Sequence, residues 1–96
     1  MTPPFSVHTT PRFDRILKKL KKHHPELVDR YAEALEILRA DPQNVSRNHP
    51  ISKLEGVQPR QGQYRLRLGQ WRFRYDIFGR EVWLFYCGLR REDTYR

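Results

Sequence analysis

Residues 63–75 read Gln63-Tyr64-Arg65-Leu66-Arg67-Leu68-Gly69-Gln70-Trp71-Arg72-Phe73-Arg74-Tyr75. Apolar residues and arginines alternate on both sides of Gly69-Gln70, the period-2 pattern of half-buried strands. A Gly-Gln pair between two such runs predicts a two-residue hairpin turn, with glycine supplying the positive φ. In that register Leu68 faces Trp71, Arg67 faces Arg72 and Arg65 faces Arg74. Tyr64, Leu66, Leu68, Trp71, Phe73 and Tyr75 then share one face, and the four guanidinium groups share the other. Like charges directly opposite each other cost a sheet a few tenths to roughly 1 kcal/mol per pair. Two such pairs side by side point to an anion as their partner, and phosphate suits the guanidinium fork best.

The rest of the chain fits one small α+β domain spanning residues 1–96. Phe5 to Thr9 alternates and predicts a short first strand. Thr10-Pro11 predicts a helix start, with threonine as N-cap and proline at the first helical position. Phe13, Ile16, Leu17 and Leu20 form one apolar stripe, and lysines fill the other side of that helix. His23-His24-Pro25 breaks it, and Pro25 opens a second helix with the stripe Leu27, Tyr31, Ala34, Leu35 and Leu38. Asp41-Pro42 ends this helix, and a polar loop follows to Pro50. Ile51 to Leu54 is a brief extended piece. Three strands come next, at 63–69, 71–77 and 81–87. The order β-α-α-β-β-β predicts an antiparallel sheet with both helices packed on one face. The opposite face is open and carries the arginines.

Val82 to Cys87 is apolar on both faces, as in a central strand. If Tyr75 pairs with Val82, the even-numbered residues join the core, and Trp83 and Phe85 share the open face with Arg72 and Arg74. There they either stack on bases or pack under a loop or the tail. Gly62, Gly69, Gly79 and Gly88 read as turn glycines.

Net charge is +8, and its distribution is uneven. Residues 1–59 carry ten basic and seven acidic side chains; residues 60–96 carry nine arginines, four acids and no lysine. A basic patch of this kind points to nucleic acid or another polyanion, whereas the lysines 18, 19, 21 and 22 read as a solvated helix face. Cys87 is the single cysteine, which excludes an intrachain disulfide or a cysteine-cluster zinc site and reads as a small core residue. No His/Cys/Asp/Glu cluster has metal-ligand spacing, so no metal or cofactor is expected. No apolar run is long enough to span a membrane and no secretory signal is visible, so a cytoplasmic setting is expected. His8, His23, His24 and His49 lie outside the arginine segment and read as structural or solvated.

Three ordered pieces resemble the RelE/ParE toxin superfamily, and more narrowly its RelE-type messenger-RNA interferases. They are Lys53-Leu54-Glu55-Gly56, the arginine hairpin from Gly62 to Tyr75, and Gly88-Leu89-Arg90-Arg91 followed by Tyr95. The resemblance implies a toxin of a type II toxin–antitoxin system. Such a toxin is a ribosome-dependent endoribonuclease that cuts messenger RNA in the A site of the 70S ribosome. It is neutralised by a cognate antitoxin, an acidic, helical, partly disordered protein, and it meets operator DNA only through that complex. By position, Arg65, Arg67, Arg72, Arg90 and Tyr95 match the family's catalytic set, with Arg91 a near competitor for the role of Arg90. Lys53, Arg74, Arg91, Arg96, Trp83 and Phe85 are candidate RNA-binding residues.

The implied chemistry is attack of a 2′-OH on the neighbouring phosphorus, giving a 2′,3′-cyclic phosphate and a 5′-OH. On this reading Arg67 and Arg72 hold the scissile phosphate, Arg65 orients it or its neighbour, and Arg90 stabilises the leaving 5′-oxygen. Several relatives have lysine where this chain has Arg65 and Arg67. Arginine stays protonated below a pH of about 12 and is a poor proton carrier. Tyr95 is therefore the leading candidate base, with base stacking an equal alternative, and Glu92 and Asp93 lie nearby. Two other classes remain. One is a ParE-like inhibitor of DNA gyrase; the other is a non-catalytic nucleic-acid-binding relative.

Overall fold

The computed structural model describes residues 4–89. They form β1 (Ser6–Thr9), α1 (Pro11–His23), α2 (Leu27–Ala40), β2 (Ile51–Lys53), β3 (Tyr64–Leu68), β4 (Trp71–Phe78) and β5 (Glu81–Leu89). The expected α1 start is made as read: Phe13 N–H donates to Thr10 Oγ1 at 3.1 Å, and Pro11 occupies the first turn. The second helix begins at Leu27 after Pro25, and Asp41 closes it, donating its N–H to Ile37 O at 2.8 Å.

The sheet has five strands in the order β1-β5-β4-β3-β2. The brief extended piece at Ile51 is a true edge strand, β2, antiparallel to β3. The sheet is mixed, because β1 runs parallel to β5. The antiparallel sheet expected from the sequence is corrected on this point. Alternation along β1 specifies a strand but carries no information about its direction relative to a partner at the far end of the chain. Its place is fixed by backbone bonds at both ends, Ser6 N–H to Arg80 O at 3.0 Å and Thr10 N–H to Leu84 O at 3.2 Å. With β1 outside it, β5 is interior, which explains why it is apolar on both faces.

Both helices pack on one sheet face. Phe13 and Leu17 from α1 join Leu27, Ala34 and Leu38 from α2 in a single buried cluster with Leu66, Leu68, Trp71, Phe73, Tyr75, Val82, Leu84 and Cys87. Tyr75 brings a hydroxyl into this core and donates it to Pro42 O at 2.6 Å, tying β4 to the turn after α2. Burial pushes that phenol well above its ordinary pKa.

The alternation of β5 changes phase. Ile77 pairs with Val82 and Tyr75 with Leu84, but Arg74 pairs with Tyr86 and Phe73 with Cys87. Phe85 is the extra residue of a β-bulge, which shifts the strand's facing by one position. The expected Tyr75–Val82 pairing is therefore corrected by two residues. The expectation that even-numbered residues join the core holds for Val82 and Leu84 but not for Tyr86. Gly88 likewise lies within β5 and is not a turn glycine. A Cβ at that position would collide with the Tyr86 hydroxyl and stand 2.9 Å from its Cζ, so the tyrosine ring occupies the room a side chain would need.

Cys87 is 1% exposed, and burial pushes its thiol pKa up to about 12. The folded protein is expected to resist a disulfide-exchange reagent at about pH 8, where an ordinary thiol is substantially ionised, and to react fully in denaturant. Prompt reaction of the folded chain would show that β5 opens readily.

Candidate nucleic-acid interface

The hairpin adopts the register read from its sequence: Leu68 pairs with Trp71, Arg67 with Arg72, Leu66 with Phe73 and Arg65 with Arg74. Gly69 takes φ +63° in the turn. Since Leu66, Leu68, Trp71, Phe73 and Tyr75 are buried under the helices, the four arginines project from the opposite face. Arg67 is exposed; Arg65, Arg72 and Arg74 are half-buried. Paired Cα atoms across an antiparallel ladder lie about 4.5–5.5 Å apart, so the face holds two adjacent rows of positive charge.

The loop after β2 folds over one end of this face and is held there by Asp76. This carboxylate is fully buried. It accepts Arg60 N–H at 2.7 Å and Gly62 N–H at 3.2 Å on Oδ2, and Gln63 N–H at 2.7 Å on Oδ1. Arg74 adds a second tie, donating from Nε at 3.1 Å and Nη2 at 2.9 Å to Gly62 O. The loop approaches so closely that a Cβ on Gly62 would lie 2.8 Å from Arg74 Cβ. Only glycine fits there, both for space and for its φ of +82°.

The bulge in β5 completes the face. It moves Tyr86 beside Arg74, with its hydroxyl lying over Gly88, and Gly88 pairs with Arg72. A phenol thus sits in the row next to the guanidinium groups. Phe85, Tyr86 and Arg74 form one side of a cleft of about 540 Å³ whose other lining residues are Thr10, Arg12, Arg60 and Gln61. Trp83 is stacked on His8, with ring centroids 4.7 Å apart and an interplanar angle of 19°, and its Nε1–H donates to Glu81 Oε1 at 3.1 Å.

Among the candidate residues, Arg65, Arg67, Arg72 and Arg74 are therefore brought together, with Phe85 at the margin. Lys53 is not. It pairs with Tyr64, on the helix side of the sheet, and its Nζ lies 5.6 Å from the Tyr64 ring centroid. On β2 it is Ser52 that pairs with Arg65. Arg90, Arg91, Tyr95 and Arg96 lie outside the described residues. Three histidines have structural neighbours: His8 on Trp83, His24 edge-on to Trp71, and His49 3.9 Å from Asp41. Asp41 is held below the usual carboxylate range: burial opposes its charge, but hydrogen bonds from Ser46 and Val45 and the nearby His49 outweigh that.

Asp76 and Tyr86 were not singled out from the sequence. For Asp76 a signal existed, since aspartate is disfavoured inside a strand and this one interrupts an otherwise apolar and basic run. For Tyr86 there was none, because its facing depends on the bulge. No family model, curated protein or solved structure matches the chain.

Removing the Asp76 carboxylate deprives three backbone donors of their acceptor. Asp76→Ala is expected to cost about 3 kcal/mol and to lower Tm by more than roughly 10 °C in a domain of this size. Hydrogen exchange at the Arg60, Gly62 and Gln63 amides should accelerate well beyond that of the β3–β4 amides. Uniform acceleration would mean that the carboxylate supports the whole fold and not the loop.

Proposed function

We propose that this chain is a RelE-like toxin: a metal-independent, ribosome-dependent endoribonuclease that cuts messenger RNA in the A site. The observation that carries the reading is the pairing of Arg65 with Arg74 and Arg67 with Arg72 on the open face of the sheet. A strand of RNA is the ligand whose repeating phosphates match such rows. The same reading places the protein in the cytoplasm, with an acidic antitoxin as its partner.

In the reaction, the 2′-oxygen bonds to the adjacent phosphorus as its proton leaves to a base. The bond from phosphorus to the 5′-oxygen then breaks, and that oxygen takes a proton. Arg67 and Arg72, directly opposite each other, hold the non-bridging oxygens and stabilise the charge that grows on them. Fixed donors aimed at developing charge are worth several kcal/mol in a transition state. Arg65 orients the same or the adjacent phosphate. Arg74 is a supporting residue, because it is partly engaged with the Gly62 carbonyl.

Proton transfer falls to another group. Asp76 is unsuitable, since both of its oxygens already accept backbone N–H groups in a buried position. Tyr86 is placed for the task by its position over Gly88, opposite Arg72. Tyr95 remains a second candidate from the family resemblance, as does Arg90 for the leaving oxygen.

The test is cleavage of end-labelled messenger RNA on programmed ribosomes. Wild type should cut inside the A-site codon and leave a 2′,3′-cyclic phosphate. Arg67→Ala and Arg72→Ala should each lower the single-turnover rate by roughly 10²–10³-fold, while leaving antitoxin binding largely intact. Tyr86→Phe should lower it by about 10²-fold or more if the phenol moves a proton. Absence of any cut by the wild-type chain, with inhibition of gyrase supercoiling instead, would overturn the interferase reading.

A further inference from the structure

The cleft beyond Arg74 has a composition that the cleavage site alone does not explain. It joins elements distant in sequence: Thr10 and Arg12 at the start of α1, Arg60 and Gln61 from the Asp76-tethered loop, Arg74 from β4, and Phe85 and Tyr86 from the bulge. Its volume of about 540 Å³ lies within the range of small-ligand sites, about 300–1,000 Å³. Three guanidinium groups and two aromatic rings meet in it, and no acidic residue lines it.

Two features show that the cleft is held in place by the fold. Arg60 has φ +72°, a left-handed backbone that is uncommon for a residue with a side chain. It is kept there by the 2.7 Å bond from its N–H to Asp76. Phe85 is the extra residue of the bulge; in a regular ladder one of Phe85 and Tyr86 would turn to the helix side. The bulge and the left-handed turn together bring the rings and Arg60 to one hollow. Arg74 uses two of its five N–H donors on Gly62 O, so it still has donors to offer.

We propose that this cleft is a nucleotide subsite of single-stranded RNA, adjacent to the scissile phosphate. The base stacks on Phe85 and Tyr86, and its phosphate is held by Arg12 and Arg60. Arg74 stands between the two sites. It is two residues from Arg72 on the same strand and face, about 7 Å along the sheet, a spacing suited to successive phosphates of an extended strand. Stacking on rings with cationic contacts to the backbone is how single strands are gripped without sequence reading. This inference rests on the proposed RNA-cutting function for its choice of ligand, and its test separates the two.

The probe is a ribotrinucleotide carrying 2-aminopurine, with 2′-O-methyl groups so that no cleavage occurs. Binding to the wild-type chain should quench the 2-aminopurine. Phe85→Leu, which keeps an apolar side chain without a π face, should lower affinity roughly tenfold, the scale of one base stack, and abolish most of the quench. Arg12→Ala and Arg60→Gly should each reduce the slope of log affinity against log salt by about 0.7, the value for one phosphate contact on a single strand. Arg60→Gly also relieves its left-handed backbone, so loss of folding is not expected to confuse the result. Arg67→Ala should weaken binding while preserving the quench.

An unchanged quench in Phe85→Leu, unchanged salt slopes in both arginine variants, or no quench with wild type would each overturn the subsite. A glutamate decapeptide that binds in an Arg12- and Arg60-dependent manner, where the RNA probe does not, would overturn it in favour of an acidic-peptide site. Ribosomal cleavage retained at full rate by the three variants would remove the subsite and leave the cleavage function standing. Quenching and salt slopes as expected, without ribosomal cleavage by wild type, would support the subsite and remove the catalytic reading.

Discussion

Pairing of Leu68 with Trp71 across a two-residue turn sets the side of the sheet on which every residue of β3 and β4 falls. A slip of one residue would exchange the two faces of β3. Arg65 and Arg67 would then lie beneath α1 and α2, and Leu66 and Leu68 would face water. Each buried, unpaired guanidinium would cost several kcal/mol, and each exposed leucine would forfeit about 1.5–3 kcal/mol of burial. Against those sums the repulsion within the Arg65–Arg74 and Arg67–Arg72 pairs is small. The register is thus over-determined by the helix-side core, and the opposite face is free to concentrate positive charge.

That freedom has a limit at the edge of the face, where backbone must cover part of the sheet. Asp76 resolves it. Its carboxylate lies on the arginine side of β4 yet accepts amide N–H groups from the overlying loop. Arg74 does the converse with the Gly62 carbonyl. The loop therefore satisfies its polar groups against charged side chains of the sheet, and Gly62 permits the close approach. A carboxylate bonded in this way steadies the wall of the site without closing an ion pair across its floor.

The hairpin, the helix starts at Thr10 and after Pro25, and the two apolar stripes were legible because each depends on neighbours in sequence. The face carrying Arg65, Arg67, Arg72 and Arg74 was legible for the same reason. The direction of β1, the side on which Lys53 lies and the phase of β5 were not. Each depends on pairing between distant segments, and the bulge at Phe85 is the clearest case. Alternation along Val82 to Cys87 is compatible with either phase, since every residue there is apolar or aromatic. Asp76 was visible as an oddity in a strand, but its donors come from a loop whose path the sequence does not specify.

The bulge has a chemical consequence as well as a geometric one. A regular β5 with Val82 and Leu84 in the core would also place Tyr86 there and turn Cys87 to the open face. One extra residue reverses both, burying a thiol and delivering a phenol to the arginines. Residues 60–96 contain no lysine, so the face supplies fixed charge and has no amine to move protons. Under the proposed function these two facts belong together. A floor made only of arginines keeps its field at any physiological pH, but it needs a separate group for proton transfer. The displacement that puts Tyr86 opposite Arg74 and over Gly88 supplies such a group from the most rigid part of the sheet.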